Sequence, residues 1–278
     1  MADSRSPMRL AVLGAGKMGG ILIEAFVKQG LVSPKNIFAT VQHAGREREN
    51  ASQLGVPLGN DNREAVKKAD VVLLCVKPQT VGRLIDEIKK ELTEKKLLIS
   101  IAASVPTDYI ERRLSAKVPV IRAMPNTPSM VRAGITAIAK GKLATEKNVE
   151  TAQRLFGAVG RTVVTDEKNM DAITGLSASG PAFIYIILES LAEGGVKAGL
   201  SRELATLLAA QTALGAAKVV LETGHHPALL KDTVTTPAGC TIDGILELEE
   251  GGLRVTLIKA VMKAAQRAKE LLVTDEGS

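Results

Sequence analysis

The chain has 278 residues, 45% of them hydrophobic and 24% charged, enough to bury one large core or two ordinary ones and unlike a disordered or fibrous composition. With no Trp, two Tyr and four Phe it offers no aromatic platform for single-stranded nucleic acid. The net charge of +6 is spread among acids, as in KKELTEKK (89–96), so no nucleic-acid partner is expected and the balance suits anionic small molecules.

The first part of the chain alternates. RLAVLGAG (9–16) reads as a strand ending in glycines, and KMGGILIEAFVKQG (17–30) as a helix with a glycine stop. NIFATV (36–41) is a strand. A short helix over AGREREN (44–50) and another over NREAVKKA (62–69) follow. DVVLLCVKP (70–78) is an apolar strand stopped by proline, and QTVGRLIDEIKKEL (79–92) an amphipathic helix. KLLISIAA (96–103) is a strand, and SVPTDYIERRL (104–114) a helix capped by Ser104. PVIRAMPN (119–126) and GITAIAKG (134–141) are strands, followed by a helix over 145–158 and a strand, RTVVTD (161–166). Strict alternation predicts parallel βαβ units, and uniformly apolar strands predict a sheet covered on both faces. From residue 167 no strand is expected: 181–200, 201–224 and 242–272 read as helices, the second with Ser201 as N-cap. PAFIYIIL (181–188) has almost no polar face, which predicts burial against another subunit. The fold class is α/β: a Rossmann-type, doubly wound, mostly parallel sheet over 1–166, then an all-helical dimerisation and substrate-binding domain over 167–278.

No unbroken apolar run reaches the roughly 18 residues of a membrane span, and MADSRSPM lacks the apolar core of a secretory signal. A cytoplasmic protein with no membrane partner is expected. Cys75 and Cys240 have no metal-type spacing, and a disulfide between them is not expected.

GAGKMG (14–19) is a GxGxxG element between a strand and a helix, the context that makes it a dinucleotide fingerprint. Gly14 permits the tight turn, Gly16 the approach of a pyrophosphate, and Gly19 close packing of helix on strand. Ala15, Lys17 and Met18 complete this turn at the helix N-terminus. An NAD site usually has an acid about 20 residues on. Thr40 or Val41 occupies that place here, while Arg46 and Arg48 follow and suit a 2′-phosphate. NADP(H) is expected over NAD(H), the alternative for these arginines being a solvated helix start. The cofactor should cross the strand ends, beside CVKP (Val76, Lys77, Pro78), IAAS (Ala102, Ala103) and MPNTP (124–128). Asn62 either caps its helix or touches the adenosine phosphate.

TTPAGCTIDG (235–244) interrupts the helical half with residues poor in helix propensity. It is either a connector or a turn that presents N–H groups and hydroxyls. Together GAGKMG, VKPQ, MPNTP, GLSASGPAF, GGVKAGL, HPALLKD and TTPAGCTIDGILELEEGGLR resemble, in order and spacing, the pyrroline-5-carboxylate reductases over residues 9–272. The resemblance implies reduction of 1-pyrroline-5-carboxylate to L-proline with NADPH, or NADH, the last step of proline biosynthesis. It implies a homo-oligomer of interlocked dimers, commonly a decamer. It also implies that TTPAGCT holds the substrate carboxylate through the Gly239 and Cys240 N–H groups and the Thr236 hydroxyl. Thr241 then bonds the ring nitrogen and assists protonation, against the plainer reading of Thr241 as an N-cap. No metal is expected. His225 and His226, just before Pro227, read as loop histidines near a helix cap rather than as acids, and GLSASGP (175–181) as a junction near the site or simply a close-packing stretch.

Three positions depart from the family pattern. Ala238 replaces a glycine, Ala178 replaces another, and Val41 occupies a place where many members have a small polar residue. A methyl at Ala238 restricts φ but leaves the N–H, so the turn should survive. Two other readings are a β-hydroxyacid dehydrogenase or imine reductase, and a non-catalytic NADPH-binding sensor. For the first, Lys197 fits the position of a general acid, but position 201 is Ser rather than Asn.

Overall fold

The computed structural model describes residues 8–41 and 55–273. Its first half comprises β1 (Leu10–Leu13), α1 (Lys17–Lys28), β2 (Ile37–Thr40), β3 (Leu58–Gly59), α2 (Asn62–Lys68), β4 (Val71–Leu74) and α3 (Pro78–Ile88). Then come β5 (Leu97–Ser100), α4 (Thr107–Glu111), β6 (Val120–Met124), β7 (Gly134–Lys140), α5 (Glu146–Gly157) and β8 (Gly160–Val164). The described strands form one sheet in the order β3-β2-β1-β4-β5-β6-β7-β8. β1 pairs in parallel with β2 on one side and β4 on the other, with Leu13 opposite both Thr40 and Leu74. The strand order reverses there, so the loops after β1 and β4 flank the crevice where such sheets bind ligands.

β1, β4 and β5 are buried at every residue, as expected of strands covered on both faces. On one face Leu22, Ile23 and Phe26 of α1 pack with Leu155 and Phe156 of α5. On the other, Val81, Leu84, Ile85 and Ile88 form a single stripe of α3, at the i, i+3, i+4, i+7 spacing of an amphipathic helix. Each such side chain contributes about 1.5–3 kcal/mol on burial, so Ile85→Ala, leaving a cavity in this layer, would cost about 2–5 kcal/mol.

The sequence reading fails at several places. β7 runs antiparallel to β6, because a connection holding only a 3₁₀ turn (Thr127–Val131) is too short for a crossover. β3 pairs with β2 through two residues and carries no periodicity long enough to read. Ser104 does not cap α4: the N-cap is Pro106, and Ser104 sits at φ +66 in the loop before it. Pro78 opens α3 as its first residue, where its missing N–H costs nothing. Asp61, not Asn62, caps α2, accepting from the Glu64 N–H at 3.0 Å. The helix expected over 44–50, with Arg46 and Arg48, lies outside the described residues.

Residues up to Ala178, with the chain from Ala264 onward, form one compact unit, and Ser179–Lys263 a second. Near the end of the first stretch α6 (Met170–Ile173) runs into a π-helical turn, Thr174–Ala178. The second unit holds α7 (Gly180–Lys197), α8 (Arg202–Thr223), α9 (Pro227–Val234), α10 (Cys240–Glu250) and the start of α11 (Leu253–Val273). The segment expected as one helix from Ile242 is two, broken at Gly251 and Gly252, the latter at φ +67. Ser201 caps α8 as expected, accepting from the Leu204 N–H at 3.3 Å. His226 caps α9 through Nδ1, which accepts from the Ala228 N–H at 3.2 Å.

α7 and α8 meet through small residues. Ala192, Ala205 and Ala209 are their buried positions, and a methyl on Gly195 would lie 2.9 Å from Ala205 Cβ. Their large apolar side chains face outward: Ile186 is 62% exposed and Leu207 63%. Two helical stretches, Glu167–Lys197 and Arg202–Thr223, are long and apolar enough to cross a membrane. This corrects the count of unbroken apolar runs, which stops at isolated charges such as Glu189 and Lys218.

Candidate cofactor and substrate sites

The glycine turn after β1 shows why each glycine is there. Gly14 lies at φ +93, and a methyl on it would sit 2.8 Å from Val76 Cγ1 and 2.9 Å from the Cys75 carbonyl oxygen. A methyl on Gly19 would sit 2.5 Å from the Gly14 carbonyl oxygen. A methyl on Gly16 would meet nothing within 4 Å. Protein packing therefore demands Gly14 and Gly19 but not Gly16, and open space over Gly16 fits a backbone approached by a ligand's phosphates. The Gly14 and Ala15 N–H groups donate to the Thr40 carbonyl at 3.0 and 2.7 Å, pinning the turn to the end of β2. α1 has no acidic residue in its first turn, which begins at Lys17, so its free N–H groups meet an anion without competition from an acidic side chain of that turn.

Beside this turn the ends of β4, β5 and β6 open a cleft of about 340 Å³. Met18, Val76, Lys77, Pro78, Ala102 and Ala103, all expected at the cofactor, line it together. Cys75 of CVKP and Met124 and Asn126 of MPNTP, loops expected beside the cofactor, line it too, as does Ala178, which was expected only as a departure from the family pattern. Burial pushes the Cys75 thiol well above its ordinary pKa, so this half-buried side chain faces the cleft as a neutral thiol. Lys77 is exposed and has no ion-pair partner among the described residues.

Asn126 fixes the far wall. It is buried, donates through Nδ2 to the Ser177 carbonyl at 3.1 Å and accepts at Oδ1 from the Ile135 N–H at 3.0 Å. MPNTP is thereby tied to the π-helical turn of GLSASG, an association the motifs could not reveal. Four residues earlier, on β6, Arg122 is buried, with Glu167 at 3.6 Å and Asp171 at 3.3 Å.

Thr40 and Asn62 do not line the cleft but lie at the end of β2, where a dinucleotide's adenosine ribose is read. Thr40 Oγ1 donates to Asn62 Oδ1 at 2.6 Å, and Asn62 Nδ2 donates to the Glu87 carboxylate at 3.1 and 3.3 Å.

The second unit carries the TTPAGCT turn. Pro237 supplies a fixed φ, Ala238 lies at φ +53, and the Gly239 N–H donates to the Thr236 carbonyl at 3.1 Å. This is a type II arrangement, whose third position asks for glycine. The turn survives the alanine. Gly239 is the N-cap of α10, so Thr241, its second residue, does not cap it. The Gly239 N–H, expected to face a carboxylate, is already engaged inside the turn. The Cys240 and Thr241 N–H groups have no acceptor among the described residues. Thr236 and Cys240 are exposed, and Thr241 is half-buried. Asp243 also stands in that first turn, and its charge makes the N-terminus less hospitable to anions than α1.

Lys197 is the exposed last residue of α7, and Ser201 four residues on is occupied as a helix cap, so no lysine–asparagine pair exists. Both cysteines are free. Among the described residues no group of three His, Cys, Asp or Glu could hold a metal.

Residues 167–271 match the family model described as pyrroline-5-carboxylate reductase dimerisation, and residues 9–104 that described as NADP oxidoreductase, coenzyme F420-dependent. The chain is 45% identical over 263 residues to the pyrroline-5-carboxylate reductase of Methanosarcina acetivorans, covering 95% of this chain and 97% of that protein. Its structure superimposes on the pyrroline-5-carboxylate reductase of Coxiella burnetii with a TM-score of 0.87, at 37% identity and over 96% of this chain and 99% of that one. The Plasmodium falciparum pyrroline carboxylate reductase, solved with NADP bound, also gives a TM-score of 0.87, at 29% identity over 95% of this chain and 98% of that one. The chain belongs to the pyrroline-5-carboxylate reductase family.

Proposed function

We propose that the protein reduces 1-pyrroline-5-carboxylate to L-proline with hydride from NADPH, NADH being an alternative donor, as the last step of proline biosynthesis. The observation that carries this reading is the pairing, in one chain of this family, of a glycine turn open over Gly16 with a turn that frees the Cys240 and Thr241 N–H groups.

The nicotinamide coenzyme supplies the hydride. The protein's share is binding and orientation. The Cys240 and Thr241 N–H groups, with the Thr236 hydroxyl, hold the substrate carboxylate. The Thr241 hydroxyl faces the ring nitrogen, orients the imine and keeps its proton in place. Gly239 contributes by its shape rather than its N–H. Apolar walls such as Ile101, Ala102 and Met124 exclude water. We assign residues 1–166 to cofactor binding and 167–278 to dimerisation and substrate binding.

The apolar surfaces of α7 and α8 are covered by a second copy of the chain in this proposal, giving interlocked homodimers that assemble into a decamer. Ile186 and Leu207 exposed in the single chain, and a family model described by dimerisation over the same residues, support the dimer over a membrane partner. Sedimentation in detergent-free buffer tests it. The cytoplasmic setting belongs to the same proposal, and cell fractionation tests it.

The function is tested by following oxidation of NADPH and NADH with 1-pyrroline-5-carboxylate, alongside Thr241→Ala. Turnover by the wild type, greatly reduced in the variant, is the expected result. Tight NADPH binding without turnover would overturn the reductase reading in favour of a sensor.

A further inference from the structure

At the corner where β2 ends, the hydrogen bonds run in one direction. The Thr40 hydroxyl, on a residue only 3% exposed, gives its hydrogen to Asn62 Oδ1. The Asn62 amide group then gives a hydrogen to Glu87. A carboxylate cannot donate, so the amide nitrogen must face Glu87 and the amide oxygen must face Thr40. This settles an orientation that geometry alone leaves open.

Two consequences follow for a ligand. With its hydrogen committed, Thr40 Oγ1 offers only lone pairs. Behind Asn62 stands a half-buried carboxylate with no cation within ion-pair distance among the described residues: Arg63 donates through Nε to the Glu87 backbone carbonyl at 2.9 Å, not to its carboxylate. Lone pairs and a negative charge with no ion-pair partner among the described residues favour a hydroxyl, which donates, over a phosphate, which is anionic. The usual acid at the end of β2 is absent here; α3 supplies a carboxylate to the same corner from one side chain further away.

We propose that Glu87 is a specificity-determining residue that, acting through Asn62, opposes a 2′-phosphate on the adenosine ribose and keeps NADH in use as a hydride donor. It positions Asn62 and does not touch the reacting atoms. The inference rests on the placement of Thr40 and Asn62 at the cofactor's ribose.

The test is titration of the purified protein with NADPH and with NADH, read by nicotinamide fluorescence, for the wild type, Glu87→Gln, Glu87→Ala and Asn62→Ala, with thermal unfolding of each. Removing the charge should raise the preference for NADPH over NADH about fivefold in both Glu87 variants, the effect of one unit charge across several ångströms of partly exposed protein. A purely structural role would lower the unfolding temperature and weaken both cofactors alike. If Asn62→Ala weakens cofactor binding and the Glu87 variants leave the ratio within twofold of wild type, the role of Glu87 is overturned while the site stands. If Asn62→Ala leaves both affinities unchanged, the placement of Asn62 fails and the inference with it.

Discussion

The Thr236 hydroxyl occupies the space that a side chain on Gly239 would need: a methyl there would lie 2.3 Å from Thr236 Oγ1 and 3.2 Å from its carbonyl oxygen. The turn thus needs glycine at its fourth position for the sake of its first. Gly239→Ala should displace the hydroxyl proposed to hold the substrate carboxylate. A hydrogen bond to a charged group is worth about 1.5–3 kcal/mol, which converts to a roughly 10- to 100-fold rise in KM for 1-pyrroline-5-carboxylate. NADPH affinity, proposed above to be set by residues 1–166, should stay unchanged. Steady-state kinetics with parallel cofactor titration separates the two, and a variant with wild-type KM would remove Thr236 from the site.

The neighbouring position makes the opposite case. Ala238 holds φ +53, a conformation that costs an L-residue with a Cβ about 1–2 kcal/mol. Glycine relieves that strain but loses more entropy on folding, by about 0.5–1 kcal/mol. Ala238→Gly should therefore stabilise the protein by about 0.5–1 kcal/mol, a rise of ~1–3 °C in Tm for a chain of this size, with kcat and KM little changed. Differential scanning fluorimetry and the standard assay check it. An unfolding temperature below wild type would mean that the alanine methyl makes a contact outside this chain.

How much of this was legible beforehand depends on range. The GxGxxG spacing of GAGKMG and the cap at Ser201 are local patterns, and the chain announces them, although the contacts that demand Gly14 come from Cys75 and Val76. The turn at TTPAGCT is legible as a break between helices, but not which N–H groups it frees, because the Gly239 bond back to Thr236 depends on the φ of Ala238. The partner of Asn126, whose MPNTP loop is expected beside the cofactor, and the roles of Arg122 and Glu87 are not legible for another reason. The partners of these three residues, Ser177, Asp171 and Asn62, lie 51, 49 and 25 residues away, a distance no periodicity spans. The antiparallel β7 is not legible in strand–helix alternation alone: it follows from the nine residues between β6 and β7, too few for a crossover.

Acid should act on the start of the sheet. Asp70, just before β4, accepts from Arg9 Nε at 3.1 Å and from the Arg9 backbone N–H at 3.2 Å, just before β1. The Arg9 side-chain hydrogen bond chiefly holds the Asp70 carboxyl below its ordinary value of 3.8. A depressed carboxylate pKa stabilises the fold above the unfolded value, and that contribution disappears as pH falls through the folded one. Stability should therefore decline below about pH 4 more steeply in the wild type than in Asp70→Asn. Both side chains are about half exposed, so at neutral pH the variant should lose no more than about 2 °C. Unfolding midpoints measured from pH 3 to 7 test the convergence, and parallel curves for the two proteins would show that the pair contributes nothing.

Arg122 puts a charge where β6 is otherwise apolar. Its side chain is 4% exposed, while Glu167 and Asp171 retain 27% and 24%. The Nε of Arg122 has no hydrogen-bond partner, and Glu167 also accepts from the Thr107 N–H at 2.7 Å, tying the start of α4 into the cluster. Such an arrangement is poor in net energy when intact, yet costly to break. Arg122→Met would leave the Glu167 and Asp171 carboxylates beside an apolar strand without the cation that pairs with both. It should destabilise by about 2–4 kcal/mol, toward the lower part of the range for buried pairs because both acids reach solvent. Neutralising the acids as well, in Arg122→Met/Glu167→Gln/Asp171→Asn, should recover at least half of the loss, since amides need no counter-charge. Urea unfolding of the three proteins measures it. Additive losses in the triple variant would mean that Arg122 acts through its packing alone, and that the charges hold α6 and the π-helical turn in place only by coincidence of position.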